Sequence, residues 1–102
     1  MNIGLYVLDG RHRPVPAKDI YEWGQQDRRV ALTKVGSYYE VSTVFLGIDH
    51  GFGSTPMWFE TMVFGPEGAQ SDMQWRYTTW EEALLGHEVA VTLVETVSTS
   101  NI

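Results

Sequence analysis

Between Arg29 and Phe64 three strand-length runs follow one another: RVALTKV at 29–35, YYEVSTVFLGI at 38–48 and MWFETMVF at 57–64. β-Branched and aromatic residues dominate all three, a composition that suits a pleated surface. Gly36-Ser37 separates the first two and offers a glycine for positive φ, so they read as a tight hairpin. Gly65-Pro66 ends the third run, and QWRYT at 74–78 supplies a shorter fourth. Connections this short make an antiparallel meander the economical topology. The middle runs are apolar on both sides: Val41 and Phe45 alternate with Val44, Leu46 and Ile48, and Met57, Phe59 and Val63 with Trp58, Met62 and Phe64. One wet face is normal for an antiparallel sheet, so this pattern predicts cover on both.

Thr79-Trp80-Glu81-Glu82 has the form of a capping box, in which the Thr79 hydroxyl and the Glu82 carboxylate each accept from the other's backbone N–H. Downstream, Trp80, Leu84, His87, Val91 and Val94 recur at alternating spacings of four and three, predicting the core-facing stripe of a long C-terminal helix. The stretch VAVTLVETV is β-branched enough for a strand, but the cap and the stripe agree on helix. Leu85, Val89 and Leu93 form a second row on the opposite side, which a single sheet–helix layer would leave wet. That row is assigned to a subunit contact, and a homodimer is expected.

Upstream, Tyr6-Val7-Leu8 reads as a short extended piece closed by Asp9-Gly10. The prolines of RHRPVPAKD predict an irregular stretch. Residues 17–26 read as a short helix with Ile20, Trp23 and Gly24 on one side and Asp19 at its positive end. The chain is thus expected to be one α+β domain. A three- to four-stranded antiparallel sheet carries one long C-terminal helix on a face, with a short helix near the N-terminus.

A length of 102 residues suits one core. A content of 43% hydrophobic residues is too apolar for a disordered segment. No run of about 18 apolar residues exists to span a membrane. The first residues lack a basic region followed by an apolar core, so no secretory leader is expected. Without cysteine there is no disulfide scaffold, thiolate metal site or thiol nucleophile, which fits a cytoplasmic location. The net charge of −6 argues against binding nucleic acid through its phosphates. The cations lie early, at Arg11, Arg13, Lys18, Arg28, Arg29 and Lys34, with Arg76 alone later. The acidic remainder fits a basic protein partner or a mimic of nucleic acid, and equally serves solubility.

Two constellations could carry chemistry. Asp49-His50 ends a strand and opens the glycine loop GFGSTP, where Asp49, His50, Phe52 and the following Trp58 would form a ligand- or partner-binding rim. The alternative is an Asx-turn closed by Asp49, with His50 packed on Phe52. The G-F-G spacing fits neither a phosphate-binding loop nor a dinucleotide fingerprint. Glu60 sits mid-strand, where an unpaired carboxylate is costly to bury, and His87 sits on the helix stripe expected above it. Together they read as a buried polar pair, or else as a general acid–base pair. With Asp49 and His50 they would make a set suited to zinc or manganese, although no metal-site spacing supports it, and neither metal nor cofactor is expected. Ser42, Ser54 and Thr55 are nucleophile candidates by residue type only. Trp23, Trp58, Trp75 and Trp80 are more than a small core needs, and tryptophan favours interfaces.

The stretches VSTVFLGIDHGFG, PMWFETMVFG and RYTTWEEALLGHE, in that order, resemble small proteins encoded by bacteriophages and prophages. LDGRHRPVPAKD and RRVALTKVG are similar too, so the resemblance covers most of the chain. It implies a phage or prophage setting and action inside the host cell. The function expected is a non-enzymatic binding protein acting on a host protein or small ligand, as an anti-defence inhibitor or a sequestering protein. The alternatives are a small metal-dependent hydrolase using His50, Glu60 and His87, and a virion or assembly component.

Overall fold

The computed structural model describes residues 4–49, 55–66 and 70–100. In chain order the elements are β1 (Tyr6–Leu8), β2 (Pro14–Pro16), α1 (Ile20–Gln25), β3 (Arg29–Val35), β4 (Tyr39–Phe45), β5 (Phe59–Phe64), β6 (Gln70–Tyr77) and α2 (Trp80–Ser100). The last four strands form an antiparallel sheet in the order β3-β4-β5-β6, and β1 and β2 form a separate ribbon. This is the α+β meander with one long C-terminal helix that the sequence predicts.

The proline stretch after Asp9 is more regular than expected. Val15 pairs with Val7, while Pro14 and Pro16 face Leu8 and Tyr6 in an antiparallel ribbon. Prolines are tolerated there because each strand of a two-stranded ribbon has a free edge that needs no donor. The Asp9 carboxylate ties the turn by accepting from the backbone N–H groups of Arg11 and Arg13 and from the Arg13 Nε–H. Those bonds hold its carboxyl below the ordinary carboxylate range.

α1 starts at an Asp19 cap, which accepts from the Glu22 N–H, while Glu22 accepts from the Lys18 N–H. The helix buries no residue, and Ile20 is exposed. What anchors the segment is Trp23, whose indole N–H donates to the Gly47 carbonyl under the Arg28 guanidinium. Gly47 has φ 77°, and a Cβ there would come within 2.5 Å of the Trp23 Nε1. Only glycine fits both the backbone and the ring.

Side chains alternate along each strand, so Val35, Val41, Thr43, Phe45, Phe59, Thr61 and Val63 point at α2 and are buried. One cluster joins Val35, Val41 and Val63 to Ala90 and Val94. A second joins Phe45, Phe59 and Ala83, and Tyr6, Leu8, Trp58 and Trp80 close around it. The ribbon thereby extends the helix layer, and the His12 ring stacks on Trp80 with centroids 3.8 Å apart.

Two expectations need correction. The helix stripe facing the sheet is Ala83, His87, Ala90 and Val94, flanked by Trp80 and Val91, while Leu84 is 41% exposed. Small residues win the inner positions because alanine lets the helix sit close to a sheet already filled by valine and phenylalanine. The far face of the sheet also lacks a second layer among the described residues. Its apolar residues Leu32, Val44, Met62 and Phe64 are interleaved with Lys34, Gln74 and Arg76 from the outer strands and with Glu40, Ser42 and Glu60 from the central strands themselves.

Candidate functional site

The Asp49 carboxylate accepts from the Met57 N–H at 2.9 Å and so closes the loop that Asp49 opens. His50 and Phe52 lie outside the described residues. Trp58 is half-buried, its ring 4.4 Å from Tyr6 and 6.4 Å from Phe45. It is a wedge between the ribbon and the sheet rather than an open platform. Of the expected binding rim, Asp49 and Trp58 are therefore both engaged in holding the fold.

Glu60 and His87 are both buried, but they are not a pair. Glu60 lies opposite Arg76 on the face away from α2, and its Oε2 accepts from the Arg76 Nε–H and the Gln74 Nε2–H, each at 2.9 Å. His87 lies between the helix and the other face. Its Nδ1 is 2.7 Å from the Thr43 hydroxyl and its Nε2 is 2.9 Å from that of Thr33. Thr43 bonds Thr61 at 2.6 Å, and the Thr61 hydroxyl in turn bonds that of Tyr77. One hydroxyl from each strand thus joins a single polar chain beneath the helix. Strand parity is the reason for the error, since Thr61 points at the helix and its neighbour Glu60 must point away. Burial holds His87 below its ordinary pKa, and nearby Glu88 pulls the other way. Burial likewise raises Tyr77, with the Thr61 bond opposing it.

The acid–histidine arrangement that general acid–base or metal chemistry would need is therefore split by the sheet. Among the described residues no group of three or more His, Asp or Glu could hold a metal ion. Ser42 is buried, Thr55 is exposed, and Ser54 lies outside the described residues.

The outer side of α2 is different. Leu85 is 65% exposed, Val89 53% and Leu93 45%, so the second row stands in solvent above a complete core. Val97 continues it. Beside the row a groove of about 280 Å³ opens between α2 and the edge strand β6, lined by Trp75, Tyr77, Glu82, Leu85, Gly86 and Val89. Gly86 shapes it, because a Cβ at that position would run into the Tyr77 ring. On the other flank Glu81, Glu88 and Glu95 repeat every seven residues and are exposed, forming an acidic line nearly parallel to the helix axis. The described structure includes no helix long and apolar enough to cross a membrane.

No known protein family, curated protein or solved structure matches the chain. The face must therefore be judged by its own chemistry.

The groove and the acidic line were not among the sequence-derived sites, although both left signals. Glycine in a helix interior costs about 1 kcal/mol relative to alanine, so Gly86 hints at a close approach. The heptad spacing of the three glutamates is visible in the sequence. Which flank they occupy depends on the helix's rotation, which only the packing fixes.

Proposed function

We propose that this chain is a non-enzymatic binding protein of the phage or prophage kind that its sequence resembles. It acts on a host component by occupying it, as an anti-defence inhibitor would, inside the host cell. The observation that carries this reading is the continuous apolar row Leu85-Val89-Leu93 with its groove, standing exposed over a finished core. Large aliphatic side chains gathered on one face, rather than scattered, are characteristic of interaction surfaces. A hydrolase built on Glu60 and His87 has less support, because the sheet separates them.

The test uses the purified chain, immobilised and exposed to host lysate, beside a Leu85→Ser/Val89→Ser variant. The wild type is expected to retain a host component saturably, and the variant to lose it with an unchanged Tm. Equal retention by the two proteins would move the site elsewhere. Turnover of a hydrolysable substrate that disappears with His87→Ala would favour the enzyme instead.

A further inference from the structure

We infer that the partner protein docks through an extended segment that adds a strand to the main sheet at β6, its alternate apolar side chains entering the groove beside α2. The inference rests on the binding function proposed above and names the chemistry of the occupant. Three observations meet at one place. β6 ends the strand order of the main sheet, so among the described residues no strand pairs with its outer edge. Such an edge presents backbone N–H and C=O groups to an incoming chain. Gln74–Tyr77 pair in unbroken register with β5, so the edge is regular there. Trp75 and Tyr77 turn toward α2, whereas Gln74 and Arg76 turn to the other face and bond Glu60. The groove therefore runs along the open edge, between Trp75 and Tyr77 on β6 and Leu85, Gly86 and Val89 on α2. A strand added to β6 lies roughly 4.8 Å further out and points every second side chain to the α2 side. Leu85 and Val89 stand exposed there to receive them. Main-chain bonds to a sheet edge, with pockets for alternate side chains, are an established mode of peptide recognition.

The other strand edges carry guards that β6 lacks. β3 has a register break between Arg29 and Ala31 and carries Lys34, and β2 contains two prolines. Bulges, lysines and prolines are the usual protections against an added strand. β6 contains neither proline nor lysine, and its arginine is tied to Glu60. A helix laid on α2 would leave this backbone row unused. A second copy joined edge to edge through β6 would bring together two chains of net charge −6. A short segment of low charge meets the same edge without that repulsion.

The probe is a synthetic peptide of about eight residues in which valine alternates with threonine. A counterpart of the same composition carries its valines at helical spacing. Two further versions are N-methylated at alternate amides, one on each set, because only one set of an added strand's N–H groups faces β6. Binding is read by titration calorimetry, and amide hydrogen exchange reports on β6, with light scattering of the free chain alongside. The alternating peptide is expected to bind at least about tenfold more tightly than its counterpart and to slow exchange in β6. One methylated version should bind like the parent and the other should lose binding. Val89→Ser should weaken the alternating peptide about tenfold with an unchanged Tm. Equal binding of the alternating and rearranged peptides, equal behaviour of the two methylated versions, or unchanged exchange in β6 overturns the added strand. So does a free chain that is already a dimer and becomes monomeric with Val89→Ser. If no peptide binds while lysate capture still depends on Leu85 and Val89, the extended segment is overturned and the binding function stands.

Discussion

His87 is held at both ring nitrogens by threonine hydroxyls, and no carboxylate approaches it within the polar chain. Its pKa lies below the ordinary 6.5 because burial disfavours the charged ring. The unfolded chain therefore takes up a proton near that ordinary value, while the folded chain resists until the pH is lower. Stability from this group is full above about pH 6.5 and is lost as the pH falls through the window down to the folded value. Thermal melts of the wild type are expected to decline from about pH 7 to about pH 5 more steeply than those of His87→Ala. The same substitution should cost about 1–3 kcal/mol near neutrality, measured by urea unfolding, because it strips partners from the hydroxyls of Thr33 and Thr43. A flat wild-type profile across that range would contradict the assignment. The sequence marked His87 as buried and polar but not its partners, because Thr33 and Thr43 lie 54 and 44 residues away. Glu60 offered a nearer and chemically reasonable candidate, and only strand parity rules it out.

At the scale of the element, α2 shows which helical features are local and which are not. Its cap was legible because it closes over three residues: the Glu82 N–H donates to the Thr79 hydroxyl, and the Thr79 N–H to the Glu82 carboxylate. Thr79→Ala is expected to cost about 1 kcal/mol in chemical denaturation. The rotation of the helix was legible only in part: Leu85, Val89 and Leu93 stand outward as expected, but the choice between an inward stripe through Leu84 and one through Ala83 and Ala90 depends on the room left by Val41, Val63 and Phe59. With Leu84 partly in solvent, Leu84→Ala should cost well under the roughly 2–5 kcal/mol typical of a buried leucine. Ala90→Leu, by contrast, adds volume where none is free and should cost about 1–3 kcal/mol. Urea unfolding of this pair checks the rotation directly. A larger loss at Leu84 than at Ala90 would mean the helix faces the sheet with its other stripe.

At the scale of the molecule, the meander means that every strand of the main sheet pairs with a neighbour in sequence, and α2 comes after all of them. That order made the sheet readable, since the β3–β4 and β5–β6 pairings are announced by short connections and only residues 46–58 make a longer one, whereas the ribbon of β1 and β2 hid behind its prolines. It also has a consequence in time. Neighbouring strands can zip within roughly 1–10 μs of becoming available. A ribosome working at about 5–20 residues per second needs on the order of 1–4 s to make the 21 residues of α2. A chain stopped after Thr78 is therefore expected to scatter light and aggregate where the full chain stays clear. Until α2 has been made and docked, Phe45, Phe59 and Val63 are without their roof, and the segment that ends this vulnerable interval also carries the outer row of Leu85, Val89 and Leu93.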